Sequence, residues 1–127
     1  MHKSQLAGFI IDCNTEDLEP AARFWSAALG YPLRPLAEES GPQEYRQLLA
    51  GEQAPHLEVQ KVTHESRVHL DIEADDIEAE VQRLEALGAK RVKQFPRWWV
   101  LEAPTGQRFC VVQPQHKAFE RTANVWK

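Results

Sequence analysis

Ile10-Ile11-Asp12-Cys13 and His69-Leu70-Asp71-Ile72 each open the same longer phrase. Behind each comes an acidic cluster (Glu16-Asp17, then Asp75-Asp76), a helix-like run, and the triplet Ala28-Leu29-Gly30 or Ala86-Leu87-Gly88. Asp17 and Asp76 stand 59 residues apart and Gly30 and Gly88 stand 58 apart, so about half the chain is repeated with one residue lost from the second helix. Two copies of one supersecondary unit predict a pseudo-symmetric fold with a site between the copies. They differ most where Ile10 stands against His69.

Working outward, Leu6 to Cys13 is short, apolar and β-branched, and reads as a strand. Asn14-Thr15-Glu16-Asp17 offers side-chain oxygens to the orphan N–H groups of a first helical turn. The helix expected from about Leu18 to Leu29 gathers Leu18, Ala21, Ala22, Trp25, Ala28 and Leu29 on one stripe, and Gly30 and Pro32 stop it. Tyr31 to Leu36 and Glu44 to Leu49 read as strands around a turn at 38–42, and His56 to Val62 alternates as a further strand.

The second copy is cleaner. Arg67 to Ile72 alternates strictly, Asp75-x-x-Glu78 has capping-box spacing, and Ile77, Val81, Leu84 and Leu87 form one apolar stripe before Gly88. Lys90 to Phe95, Trp98 to Ala103 and Arg108 to Gln113 complete it as strands. The order strand–helix–strand–strand–strand, twice, makes one α+β domain over 1–113, with modules at about 6–62 and 63–113. The tail 114–127 is polar but carries Phe119 and Trp126, so docking is expected of it.

Strand parity sorts the side chains. Val68, Leu70 and Ile72 should lie under the second helix, Phe9, Ile11 and Cys13 under the first, and Phe109 and Val111 against helix as well. The opposite face then carries Asp12, Glu58, Gln60, Arg67, His69, Asp71, Arg108 and Cys110, too polar a set for an ordinary core. Of the pair Trp98 and Trp99, one ring should face the helices and the other the polar face, where it would make a stacking wall. His69 is either a pocket acid/base group or a histidine satisfied by Asp71 or Arg67. Arg67 either clamps an anionic ligand group or pairs with Asp71 or Glu58.

A chain of 127 residues with 43% hydrophobic and 27% charged residues suits one globular domain. A net charge of −4, with no basic run and no aromatic–basic interleaving, argues against nucleic acid or an anionic membrane as partner. Met1-His2-Lys3-Ser4-Gln5 leads into no leader-like pattern and no segment has the length of a membrane span, so a cytoplasmic location is expected. Cys13 and Cys110 lack CxxC spacing and are expected to be reduced, buried thiols.

Phe24-Trp25-x3-Leu29-Gly30-Tyr31, Arg67-Val68-His69-Leu70-Asp71-Ile72 with Asp76, and Ala103-Pro104-Thr105-Gly106-Gln107-Arg108-Phe109 together resemble the glyoxalase-like and bleomycin-resistance-like proteins of the vicinal oxygen chelate superfamily. The resemblance covers about residues 6–113. It implies a curved eight-stranded mixed sheet around a cavity, with helices on the outer face. It also implies a homodimer and, in many members, a divalent metal held by one side chain from the first and last strand of each module. Those positions fall here on Ile10, which cannot ligate, on Glu58 or Gln60, on His69, and on Cys110.

The expectation is therefore a small-molecule binding protein of the bleomycin-resistance type with no metal cofactor. Its ligand contacts would be Asp12, Glu58, Gln60, Arg67, His69, Trp98, Trp99, Arg108 and Cys110. The alternative is a lyase, isomerase or dioxygenase-like enzyme with an atypical ligand set. His69 would then be catalytic, and His69 with Glu58 would hold Zn, Ni, Mn or Fe.

Overall fold

Thirteen consecutive residues, His2–Asn14, form the first strand, β1, and it belongs to both compact units of the molecule. The computed structural model describes residues 1–37 and 40–127; Glu38 and Glu39, in the turn expected at 38–42, lie outside the described residues. Along the chain follow α1 (Leu18–Leu29), β2 (Tyr45–Leu48), β3 (His56–Val62), β4 (Arg67–Ala74), α2 (Ile77–Ala86), β5 (Lys90–Gln94), β6 (Trp99–Glu102), β7 (Arg108–Val112), α3 (Phe119–Thr122) and β8 (Asn124–Trp126). The fold is α+β. Among the described residues, eight strands make one open, mixed sheet: β4 and β7 run parallel, while β2–β3, β5–β6, β6–β7 and β1–β8 are antiparallel.

One unit comprises Phe9–Val68. Asp17 Oδ1 accepts from Glu19 N–H to start α1, and Gly30, at φ 74°, ends it. Cys13, Leu18, Ala22, Leu48 and Val59 form the buried core under that helix, joined by Ile11, Trp25 and Leu57. Ile11 and Cys13 thus face the helix as parity required, whereas Phe9 is partly exposed.

The strand expected at Tyr31–Leu36 reduces to a single bridge between Leu33 and Leu48. Pro32 and Pro35 remove two backbone donors there, so the segment cannot sustain a ladder. Eight strands remain because β8, in the tail, takes the vacant place in the count, pairing His2 with Trp126, Lys3 with Val125 and Ser4 with Asn124.

The other unit comprises Met1–Gly8 with His69–Lys127. Its core is Ala74, Val81, Leu101 and Val111, with Ile77, Leu84, Trp99 and Phe109 against it. Each fully buried aliphatic side chain contributes roughly 1.5–3 kcal/mol. The parity of β4 holds, but the strand runs on to Ala74, and that end carries the core residue. Val68, at 60% exposure, and Leu70 are consequently not covered by α2.

Asp76 rather than Asp75 caps α2, accepting from Ala79 N–H at 3.0 Å, while Asp75 Oδ1 accepts from Lys3 N–H at 2.8 Å. Leu87 ends the helix exposed instead of completing the apolar stripe. Aromatic–basic contacts, not expected from composition, occur in the β5–β6 hairpin. Arg91 lies 4.9 Å over the Trp99 ring and Lys93 4.9 Å over Phe95.

Candidate functional site

β4 and β7 run side by side in register, pairing Asp71 with Cys110 and Ile72 with Val111. Side chains alternate along a strand, so Val111 enters the helix-covered core while His69, Asp71 and Cys110 share the opposite face. His69 Nε2 lies 3.3 Å from Asp71 Oδ1, with both side chains largely buried. One donor atom from each of His69, Asp71 and Cys110 falls within 4.8 Å of the others. A nitrogen, a carboxylate oxygen and a sulfur therefore converge on one spot. That trio can hold a ligand's polar atoms, relay a proton through the imidazole, or supply mixed donors to a transition metal.

The remaining expected site residues make other contacts. Asp12, buried on β1, has Oδ2 at 3.7 Å from Arg67 Nε and 3.9 Å from His64 Nε2. The Arg67 partner is thus Asp12, a pairing that parity placed on one face without naming. Burial, then the Asp12 charge, pushes the neighbouring Cys13 thiol up. Cys13 is buried and Cys110 half-buried, and neither is in a disulfide.

Glu58 and Gln60, on β3, face β2 residues. Glu58 Oε1 accepts from His56 Nε2 at 2.7 Å, Gln47 Nε2 donates to His56 Nδ1 at 3.4 Å, and Gln60 Nε2 donates to the Tyr45 hydroxyl at 3.0 Å. Arg108 is exposed and pairs with Glu102 at 3.1 Å. Trp98 precedes β6 and stacks on Phe95 with centroids 4.6 Å apart, and Trp99 packs into the α2 core. Trp99, opposite Val111 in register, thus stands on the helix-covered face.

Sequence reasoning gave His56 and His64 no site role and did not count Asp71 among the ligand contacts. The signal was an i, i+2 spacing on a strand: His56-x-Glu58 and His69-x-Asp71 each place an imidazole beside a carboxylate.

The glyoxalase-like domain family matches residues 8–112. The chain belongs to the glyoxalase-like domain family. It is accordingly a member of the vicinal oxygen chelate superfamily. No curated protein matches it. Among solved structures it is similar to a hypothetical protein from Bacillus halodurans C-125, with a TM-score of 0.60 at 15% identity over 91% of this chain and 97% of that one. It is also similar to a structure described as an NAD-dependent benzaldehyde dehydrogenase from Legionella pneumophila, with a TM-score of 0.57 at 9% identity over 84% and 99%. At these identities the likeness concerns the fold alone. A maize (Zea mays) glyoxalase I aligns at 20% identity over 82% of this chain and 44% of that one, with a TM-score of 0.30, and carries no argument.

Within this glyoxalase-like domain, the family's metal positions are partly furnished. Ile10 is apolar and 3% exposed, so one position offers no donor. Glu58 sits in the Phe9–Val68 unit and is engaged by His56. His69 and Cys110 carry donors, and Asp71 adds a carboxylate beside them. Three mixed N, O and S donors fit a borderline ion such as zinc with one position left open.

Proposed function

We propose that this glyoxalase-like protein binds a small molecule without a metal, in the manner of the bleomycin-resistance type. The observation that carries the reading is Ile10, which sits deep in the chain's core where the metal-binding members of the family present a ligand. Losing one ligand of four sharply weakens a metal site, because affinity depends on ligand number and geometry. His69, held by Asp71, then serves as a hydrogen-bonding group that selects the ligand, and Asp12 with Arg67 supplies a further charged pair.

One observation favours a second reading, a metal-dependent lyase, isomerase or dioxygenase-like enzyme: the donors of His69, Asp71 and Cys110 lie within 4.8 Å of one another. These three residues would hold the ion, which when bound would act as a Lewis acid on a substrate oxygen. His69 would keep its orientation through its contact with Asp71.

Purified protein exposed to Ni²⁺, Zn²⁺, Mn²⁺ and Fe²⁺ and then desalted should retain none stoichiometrically. Stoichiometric metal that disappears in His69→Ala establishes the second reading and overturns the first. The family habit also supports a homodimer; a monomeric mass at micromolar concentration counts against it. Among the described residues, no helix is long and apolar enough to cross a membrane.

A further inference from the structure

Along β4, His69, Asp71 and Glu73 alternate onto one face, while Ala74 enters the core under α2. Consecutive members of that row stand roughly 7 Å apart, twice the rise of a strand residue. The neighbouring strand keeps the same step, with Cys110 opposite Asp71 and Val112 opposite Glu73. The chain leaves β7 at Val112, so residues 113–116 begin where the His69 row ends.

Those residues turn back over Glu73. Its Oε1 accepts from the backbone N–H groups of Gln115 and His116, and its Oε2 accepts from His116 Nδ1–H at 2.9 Å and from Gln5 Nε2 at 2.7 Å. Four donors fill the acceptor capacity of a wholly buried carboxylate, so Glu73 serves to hold the tail. Gln5 in turn accepts from Thr122 Oγ1–H at 2.9 Å, and Phe119 is buried, so the tail is seated at several points. All of these residues belong to the unit made of Met1–Gly8 and His69–Lys127. His116 differs from its anchor in exposure: the Glu73 side chain has none, whereas that of His116 keeps 23%, surface that a molecule can touch. A carboxylate can only accept, which puts the proton of the neutral ring on Nδ1 and makes Nε2 an acceptor.

We infer, taking the His69–Asp71–Cys110 group as the place where the ligand of the proposed function sits, that His116 is a specificity-determining residue of that site. Its ring, carried on the tail and fixed by Glu73, forms the end wall that limits how far a ligand can extend along β4. A molecule whose polar group meets His69 and Asp71 has roughly 7 Å, one step of the row, before it reaches the wall. That admits one small ring or a chain of a few atoms and turns away longer rigid groups.

Cys110, across the ladder from Asp71, reports this space with no ligand in hand. Methyl methanethiosulfonate and its 4-phenylbenzyl analogue react with thiols by one chemistry and differ in length. Normalised to the urea-unfolded chain, the longer reagent should label Cys110 at least about tenfold more slowly than the methyl one, a penalty usual for a group that does not fit a pocket. His116→Ala should remove most of that difference while leaving the methyl rate almost unchanged. His116→Phe keeps a ring's bulk but cannot bond Glu73, and should discriminate as the parent does. Mass spectrometry of the Cys110 peptide gives the rates, and Cys13, buried in the other unit, is the control for general opening. Equal normalised rates in the parent overturn the inference whatever the variants do. Unchanged discrimination in His116→Ala, faster labelling by both reagents alike, or a Phe variant as open as the Ala one also overturns it. None of these outcomes depends on metal retention, which tests the proposed function on its own.

Discussion

Glu80 has no exposed surface, yet it is an acid on a helix. Arg83 donates to it with two nitrogens at 2.8 Å, Ser4 Oγ–H donates at 2.8 Å, and His2 Nε2 lies at 2.8 Å. Burial pulls its pKa upward, but the hydrogen bonds from Arg83, His2 and Ser4 and the Arg83 charge more than offset this, so the carboxyl ends below its ordinary value of 4.5. A depressed folded pKa means stability that is fully present above the unfolded value and lost as pH falls through the folded one. Unfolding free energy should therefore hold from neutrality down to about pH 4.5 as far as this group is concerned, and drop below it. Glu80→Gln removes the charge and leaves Arg83 without its partner. It should cost about 3 kcal/mol at neutral pH in urea unfolding and flatten the acid limb of the pH profile. A variant as stable as the parent at pH 7 would show that the buried network contributes nothing.

At the scale of elements, a glycine follows α1 directly and α2 after Leu87, and the two glycines do different work. Gly30 has φ 74° and open space where a Cβ would stand; Gly88 has φ 113°, and a Cβ there would approach Pro104 Cγ to 3.1 Å. Gly30→Ala should cost about 1 kcal/mol, the penalty for a left-handed L-residue. Gly88→Ala adds a contact with a ring that has few ways to yield, and should cost clearly more, about 2–3 kcal/mol. Thermal midpoints of the two variants measured side by side test the order, and equal losses would refute the packing contribution.

These stops, the strand at His56–Val62 and the faces of β4 and β7 were legible because each rests on local spacing: a period of two, a period of 3.6, or a glycine after an apolar run. The strand at Tyr31–Leu36 failed because two prolines outweigh apolar alternation. The candidate site was legible in part. Alternation put His69, Asp71 and Cys110 on one face, but only register brought Asp71 opposite Cys110, and register is a property of two distant strands. Trp98 escaped the reading because it lies in the turn closed by Phe95 N–H to the Trp98 carbonyl, at 2.9 Å, rather than in β6.

The whole molecule brings its two ends together within one unit. Glu73, without exposed surface, accepts from Gln5 Nε2 at 2.7 Å near the start of the chain and from Gln115 N–H, His116 N–H and His116 Nδ1 near its end. Trp126 donates to Ser4 Oγ at 2.7 Å, and Arg83, having bonded Glu80, lies 3.9 Å over the Trp126 ring. Phe119 is buried between these anchors in sequence. Two buried carboxylates thus depend on chain termini that in most domains fray. Removing everything after Gln113 would strip Glu73 of its backbone donors and expose the Ser4–Glu80–Arg83 network to water. Because an uncompensated buried charge is costly, the truncated protein should lose at least about 3 kcal/mol. Hydrogen exchange should locate the loss: amides of residues 2–5 and of α2 should exchange fastest relative to the parent, and those of α1, whose core lies in the Phe9–Val68 unit, should change least. Exchange that rises evenly across both units, or not at all, would mean that the tail is not what holds the buried acids in place.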